Sequence, residues 1–210
     1  FELDPKTNQL KPMLVEHYNV SSDGLTITLY LRKNVSFHNT RWFTPTRKFN
    51  AEDVIFSLNR MMGIVGDLPA LNRESSGSGE FHHAQAMAYR TKANLAHYPY
   101  FESIELKQKI AQIKDINAHT VRITLTEPDQ ALLSHLASQY AVILSKEYAL
   151  QLNADENLPQ LDLLPVGTGP YQLTSLTQSD YIRLQPHPKY WGKKAHIENM
   201  VVDFASDGTG

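Results

Sequence analysis

The alternation of apolar and polar residues after Asp23-Gly24 is the feature that most constrains the fold of this chain. Between Leu25 and Leu31 every second residue is aliphatic, and the residues between them are threonine or tyrosine. Successive side chains of a β-strand point to opposite faces, so this pattern predicts a strand with one buried face. Asp23-Gly24 is a turn signal, and it predicts a hairpin that leads into the strand.

A helix is predicted after the hairpin, beginning beside Asn50. An asparagine side chain caps the exposed amides of a helix N-terminus, and Glu52 and Asp53 would lie in the positively polarised first turn. Gly63 stands where the helix is expected to end. The residues expected to face the core are Val54, Ile55, Leu58 and Met61.

The rest of the chain mixes strand and helix signals without a repeat, which indicates an α/β or α+β lobe. Further strands are predicted at residues 110–116, 120–125, 141–144, 171–175, 181–185 and 200–205, the last of them buried. Further helices are predicted at about residues 81–95, at 128–137 with Pro128 in the first turn, and from Ser145 onward. Residues 66–80 have the composition of a loop.

Composition and charge exclude several classes of protein. The chain has 210 residues, a formal net charge of -2 and no cysteine. It is long enough to bury a core, but it has no basic excess that would favour nucleic acid as a partner. The lack of cysteine excludes disulfides, cysteine-bound zinc and a thiol nucleophile. The chain begins at Phe1 rather than at a methionine and stops soon after an apolar run, so we expect it to be a piece of a longer protein.

The stretch LLPVGTGPYQL (residues 163–173) contains two glycines that are typical of a turn. A phosphate-binding P-loop needs a longer spacing between its glycines and a following lysine, and a dinucleotide fingerprint needs a third glycine and a helix. Gly167 and Gly169 are separated by one residue, and Pro170 has no amide to donate. We therefore interpret the stretch as a rigid turn into a strand, in which the glycines supply positive φ angles.

No spacing of residues supports catalysis or a metal site. Neither HExxH nor GxSxG occurs, and the adjacent His82-His83 pair cannot form the i, i+4 clamp that binds zinc on a helix. The acidic pairs Glu52-Asp53 and Asp155-Glu156 fit helix caps and loops better than acid–base chemistry. The RWFTPTRK stretch (residues 41–48) fits base stacking, an acidic ligand, or a loop with Trp42 packed inward, and we favour the loop.

Five stretches of the chain, taken in order, form a pattern typical of one protein family. They are LKPMLVEHYNVSSDGLTITLYLRKNVSFH (10–38), FNAEDVIFSLNRM (49–61), HTVRITLTEPDQALLSHLA (119–137), PVGTGPYQL (165–173) and IRLQPHPKYWGKK (182–194). Together they resemble the bacterial extracellular solute-binding protein family 5, the dipeptide, oligopeptide and nickel receptors of ABC importers. The long WFTPTRKFNAEDV segment resembles the Sap branch, whose members are linked to antimicrobial-peptide uptake and in some cases to haem.

The resemblance implies a fold and a division of the chain. Such receptors are α/β proteins of the type II-like periplasmic binding fold, in the large three-subdomain variety, and two lobes close over a ligand about a hinge. Residues 1–135 are then expected to form mainly the small subdomain of lobe one. Residues 136–210 would form part of its main sheet, ending near the hinge, with the second lobe absent. Such a piece is expected to bind peptide weakly or not at all.

The resemblance also implies a site, partners and a location. Peptides are held largely through their backbone, and the closed receptor docks on permease subunits of the inner membrane, which implies a periplasmic protein without catalysis or cofactor. The alternatives are a haem or nickel-chelate receptor of the same family, with haem as a transported ligand, and a hydrolase-like enzyme of another class. Tyr140 fits a cleft wall or the core equally. The candidate ligand-binding residues are Ser138, Gln139, Tyr140, Thr177, Ser179 and Asp180.

Overall fold

The computed structural model describes residues 1–64, 98–177 and 181–204, and this part of the chain forms three antiparallel sheets with short helices. The strands are β1 (Glu2–Leu3), β2 (Leu10–Lys11), β3 (Val15–Val20), β4 (Thr26–Leu31), β5 (Ile110–Asn117), β6 (Thr120–Leu125), β7 (Tyr171–Thr177), β8 (Tyr181–Pro186) and β9 (Met200–Asp203). The helices are α1 (Ala51–Met61), α2 (Pro99–Ser103), α3 (Leu106–Lys109), α4 (Leu132–His135), α5 (Lys146–Ala154) and α6 (Gln160–Leu163). The loop predicted at residues 66–80 and the helix predicted at 81–95 lie outside the described residues.

The largest sheet has four antiparallel strands in the order β3-β4-β6-β5. β3 and β4 form the hairpin predicted across Asp23-Gly24, and β5 and β6 form the hairpin predicted from residues 110–125. Ile27, Leu29 and Leu31 are each at most 3% exposed, whereas the residues between them are half-buried. The prediction of a strand with one buried face is confirmed.

The turn at Gly24 shows why one predicted helix begins late. Gly24 has a φ of +73°, and a Cβ at this position would lie 3.0 Å from Cβ of Pro128, so the turn packs directly on that proline. Asp129 accepts a hydrogen bond from the amide of Ala131 at 2.8 Å and forms an ion pair with Lys109 at 2.8 Å. The prediction of one helix over residues 128–137 is wrong, because these contacts hold the first residues outside the short helix α4.

Helix α1 begins and ends as predicted. The side chain of Asn50 accepts from the amide of Glu52, and Asp53 at the third helical position accepts from the amide of Asn50, which completes a capping box. Gly63, with a φ of +71°, follows the end of the helix. Ile55 is half-buried rather than buried. The buried residues of α1 are Ala51, Asp53, Val54, Phe56, Ser57, Leu58 and Met61.

Asp53 also fixes the loop that precedes α1. Its carboxylate is 0% exposed and accepts hydrogen bonds from Arg47 Nη1 at 2.7 Å and Nη2 at 2.9 Å. The side-chain hydrogen bond to Asp53 raises the pKa of Arg47. Asp53 further accepts from the amide of Lys146 at 2.9 Å, so one carboxylate joins the loop, α1 and α5. Trp42 packs partly buried against the core, which confirms the interpretation of residues 41–48 as a loop.

Residues 141–144 do not form the predicted strand. The amide of Leu144 donates to Ser57 Oγ on α1 at 2.9 Å, so this backbone is bonded to a helix side chain instead of a neighbouring strand. Ser145 then caps α5 by accepting from the amide of Tyr148 at 3.1 Å, as predicted. Packing of α1 against α5 crosses the subdomain boundary expected at residue 135, and that boundary stays a prediction.

The last sheet has three antiparallel strands in the order β7-β8-β9, and it contains the strands predicted at residues 171–175 and 181–185. The final strand is present, but the prediction that it is buried is wrong. Val201 and Val202 of β9 and the following Phe204 are all exposed. In the described part of the chain, β9 is an edge strand that pairs with β8 alone.

The turn at Gly167–Pro170 encloses the side chain of His38. His38 Nδ1 accepts from the amide of Gly167 at 3.1 Å, and its Nε2 lies 2.9 Å from the carbonyl oxygen of Gly169. Because a carbonyl oxygen only accepts, Nε2 carries the proton. Burial is the main reason that the pKa of His38 is lowered to about 4, so the ring is neutral. The carbonyl of Pro170 accepts from the amide of His187 at 2.8 Å and adds β8 to this junction.

These contacts confirm the turn interpretation of LLPVGTGPYQL and correct one part of it. The amide of Gly167 is bonded to His38, so it is not presented to a phosphate group. Neither Gly167 nor Gly169 has a left-handed φ, although we predicted positive φ angles there. At Gly167, an added Cβ would meet the His38 ring at 3.5 Å and the backbone nitrogen of Gly169 at 4.0 Å, which are both ordinary contacts.

Candidate functional site

The predicted residues Ser138, Gln139 and Tyr140 form the turn that follows helix α4. The amide of Ser138 donates to the carbonyl of His135 at 3.1 Å, and the carbonyl of Ser138 accepts from the amide of Ala141 at 3.1 Å. Tyr140 is 53% exposed, so its ring lies at the surface and not in the core. Gln139 is also exposed. This turn therefore presents two polar-ended side chains to solvent.

Tyr140 belongs to an aromatic cluster made of Tyr100, Phe101, His135 and Tyr140. The rings of Tyr140 and Tyr100 have centroids 4.7 Å apart and are tilted by 33°. The hydroxyl of Tyr100 lies 3.0 Å from His135 Nδ1, and the ring of Phe101 packs edge-on against Tyr100 at 5.2 Å. Phe101 is buried and anchors helix α2 in the core. The exposed ring of Tyr140 therefore packs against the ring of Tyr100.

Sequence reasoning missed Tyr100 and His135 as parts of this surface. The sequence signal for Tyr100 was the aromatic run Tyr98-Pro99-Tyr100-Phe101. Pro99 favours the start of a short helix at this position. No sequence spacing links that run to His135 or Tyr140, because the contact depends on how α2 and α4 pack.

Ser138 adds a hydrogen-bonding group beside the cluster. Its Oγ is buried and has no hydrogen-bond partner among the described residues. A buried hydroxyl without a partner carries a cost of about 1–3 kcal/mol, and a bound polar group can remove that cost. Ser138 therefore carries a buried hydrogen-bonding group without a partner among the described residues, two positions before Tyr140 in the same turn.

An apolar pocket of about 180 Å³ adjoins the same turn. Leu136 before the turn and Ala141 and Ile143 after it all line this pocket. The opposite walls come from Phe1 and from the buried faces of β4 and α1. A small apolar side chain fits a cavity of this size and lining.

Thr177, the other predicted residue that the structure describes, lies at the end of β7 in register with Tyr181 of β8. It is half-buried, and no hydrogen bond or ring contact joins it to the aromatic cluster within the described residues. Ser179 and Asp180 lie outside the described residues. Ser138, Gln139 and Tyr140 therefore lie in one turn, and Thr177 lies apart from them at the end of β7.

Other chemistry is described for residues 1–64, 98–177 and 181–204 of the chain. Within these ranges no group of three or more His, Asp or Glu side chains is placed to hold a metal ion. The His82-His83 pair lies outside them. In the same part of the chain, no helix has both the length and the apolar character needed to cross a bilayer.

The sequence and the fold together identify a class of protein. The family model for bacterial extracellular solute-binding proteins, family 5 middle, matches residues 9–209. The chain belongs to this family, which confirms the resemblance carried by the five stretches. The members that it matches are binding receptors.

Among individual proteins, the chain is similar to the peptide transport periplasmic protein SapA of Haemophilus influenzae. The two sequences are 45% identical over 210 residues, and the match covers 100% of this chain and 37% of that protein. Its structure is similar to that of a dipeptide binding protein from Pseudoalteromonas sp. SM9913 in complex with Met-Leu, with a TM-score of 0.80, 34% identity, and coverage of 99% of this chain and 37% of that one.

A second similar structure is the ABC transporter-associated periplasmic binding protein DppA from Helicobacter pylori in complex with the peptide STSA. The TM-score is 0.77 at 31% identity, covering 96% of this chain and 35% of that one. The α/β fold of the peptide-binding periplasmic proteins is therefore confirmed. The chain spans little more than a third of the length of these relatives.

Proposed function

We propose that the chain is part of a periplasmic receptor of a bacterial peptide ABC importer. The receptor captures peptides, including antimicrobial peptides, and delivers them to permease subunits in the inner membrane, without catalysing a reaction and without a cofactor of its own. The observation that carries the proposal is the 45% identity over the whole chain to a peptide transport periplasmic protein. The two similar structures that hold Met-Leu and STSA support peptides as the ligand class.

The Ser138–Tyr140 turn is the part of this chain that we assign to ligand contact. The exposed ring of Tyr140 offers a rigid amphipathic surface with little rotamer entropy to lose. Ser138 Oγ offers one hydrogen bond to a peptide backbone, and the adjoining apolar pocket accepts a small side chain. Backbone hydrogen bonds together with loosely selective side-chain pockets give a receptor broad peptide specificity.

Calorimetric titration with Met-Leu tests this assignment on the complete gene product that contains these residues. Tyr140→Ala is expected to weaken binding about tenfold, because removing a packed aromatic contact costs roughly 1–2 kcal/mol. Tyr30→Ala is the matched control, since Tyr30 stacks on His17 and has no ring contact with the aromatic cluster. If Tyr140→Ala binds as tightly as Tyr30→Ala and the unchanged protein, Tyr140 is not a ligand contact.

The same titrations separate the ligand classes. Binding of Met-Leu supports the peptide receptor, whereas a shifted Soret band on addition of haemin, without a response to Met-Leu, supports the haem receptor. Because the chain covers 37% of its SapA relative, we predict that the 210-residue chain alone binds Met-Leu weakly or not at all. Micromolar affinity from the 210-residue chain would contradict that prediction.

A further inference from the structure

A second cavity, which we name the basic pocket, shares no lining residue with the aromatic cluster or the apolar pocket. It has a volume of about 440 Å³ and lies between the loop at residues 44–48 and the turn at residues 187–189 that follows β8. The lining residues that carry its chemistry are Ser36, Lys48, Gln172, His187 and Lys189.

The basic pocket has an excess of positive charge. Arg47 is neutralised by the buried carboxylate of Asp53, but Lys48 and Lys189 form no ion pair with a described residue. None of the described lining residues is acidic. Lys48, His187 and Lys189 line the same cavity, and burial and then the charges of Lys189 and Lys48 lower the pKa of His187. A negatively charged group is therefore favoured in this cavity.

Two residues that line the cavity carry buried acceptor atoms without a donor among the described residues. His187 is 5% exposed, and its Nε2 lies 3.0 Å from the carbonyl oxygen of Ser36, so Nε2 carries the proton and Nδ1 has a lone pair. Gln172 Nε2 donates to the carbonyl of Asn39 at 3.2 Å, which leaves Oε1 as an acceptor. Neither His187 Nδ1 nor Gln172 Oε1 has a hydrogen-bond partner among the described residues. The lining therefore contains two acceptor atoms without a donor and two lysines without an anionic partner among the described residues.

A ligand that meets both needs is an oxyanion that still carries a proton near neutral pH. Carboxylate and sulfate groups have lost their protons at that pH, whereas inorganic phosphate keeps at least one and a phosphate monoester, with a second pKa of about 6, keeps a small protonated fraction. We propose that the basic pocket binds a phosphate group. Its charged oxygens lie toward Lys48 and Lys189, and its protonated oxygen donates to His187 Nδ1 or Gln172 Oε1.

The comparison of phosphate with sulfate tests this site, because the two ions have similar size and shape but only phosphate carries a proton at about pH 7. Phosphorus NMR and calorimetry on the purified protein, at constant ionic strength, are expected to show binding of inorganic phosphate about tenfold tighter than binding of sulfate, the value of one hydrogen bond involving a charged group. Glycerol 3-phosphate in a parallel titration shows whether the phosphate group is accepted free or as an ester.

Variants of the pocket complete the test. Lys189 is exposed, so Lys189→Gln removes a charge without disturbing the core, and it is expected to weaken phosphate binding about tenfold. Lys193→Gln makes the same charge change at an exposed lysine outside the pocket and is expected to bind phosphate normally. Gln172→Met removes one acceptor and is expected to reduce the preference for phosphate over sulfate.

Three results would overturn the proposal. The first is the absence of binding by both inorganic phosphate and glycerol 3-phosphate. The second is equal binding of phosphate and sulfate, which would show general attraction to cations without use of the acceptors. The third is an equal effect of Lys189→Gln and Lys193→Gln on phosphate binding. Thermal unfolding of each variant, followed by circular dichroism, establishes that it is folded before binding is measured.

Discussion

Acidification is expected to destabilise this protein through His38. The neutral imidazole of His38 is held between the amide of Gly167, which donates to Nδ1, and the carbonyl of Gly169, which accepts from Nε2. Protonation of Nδ1 places a donor against the Gly167 amide, which is itself a donor, and puts a charge in a buried site. The ring of His187, 4.9 Å away, adds electrostatic repulsion to the effect of burial.

The pKa of His38 sets both the direction and the size of this effect. Above about pH 6.5 the ring is neutral in the folded and the unfolded chain, so it contributes no pH dependence. Below that value His38 is protonated in the unfolded chain. In the folded chain it stays neutral until the pH reaches the lowered His38 pKa of about 4. The difference between the two pKa values corresponds to about 3 kcal/mol of unfolding free energy lost across this window.

Urea unfolding at pH values from about 7 to 4 measures the loss, with fluorescence of Trp42 and Trp191 as the signal because both pack against the core. His38→Gln cannot titrate in this range, so we expect its stability to fall about 3 kcal/mol less than that of the unchanged protein. His196→Gln at an exposed position is the control and should leave the pH profile unchanged. Parallel profiles for the unchanged protein and His38→Gln would refute this explanation.

Two further substitutions, each with a control variant, test the ion pair at the start of α1 and the turn at Gly24. Arg47→Gln leaves the fully buried carboxylate of Asp53 without its cation and is expected to cost about 3 kcal/mol in urea unfolding, whereas Arg41→Gln at an exposed position should cost less than about 0.5 kcal/mol. Gly24→Ala is expected to cost about 1–2 kcal/mol because of its positive φ and its 3.0 Å approach to Pro128, and Gly169→Ala, with nothing within 4 Å of its Cβ, should be neutral. Equal effects of the two alanine substitutions would contradict the assigned turn geometry.

Local patterns predicted the elements whose partners lie close in the sequence. The hairpins at Asp23-Gly24 and near residue 118 and the cap at Asn50 depend on periodicity and on side chains within a few residues. The failures depend on distant contacts. The run at residues 141–144 has the composition of a strand, but the amide of Leu144 is bonded to Ser57, far away in the sequence. β9 is apolar, but its exposure depends on which layers lie beside it.

The candidate site also depends on contacts between residues that are distant in the sequence. Ser138, Gln139 and Tyr140 were placed by family resemblance, and the structure adds Tyr100 and His135 through the packing of α2 on α4. An aromatic residue in a sequence fits a core and a ligand surface equally well, and only the exposed fraction of Tyr140 separates the two. The sequence therefore predicted candidate residues in this turn but not the contacts of Tyr100 with His135 and Tyr140.

Three of the five stretches that carried the family resemblance meet at one junction. His38 ends the first stretch, Gly167 and Gly169 lie in the fourth, and His187 lies in the fifth, and hydrogen bonds join all of them through His38, Pro170 and Ser36. None of these side chains belongs to the aromatic cluster. These three stretches are markers of the scaffold because they build this junction, whereas the turn at Ser138–Tyr140 lies outside the five stretches. The contacts of this junction account for the family fold, and the Tyr140→Ala titration tests ligand contact separately.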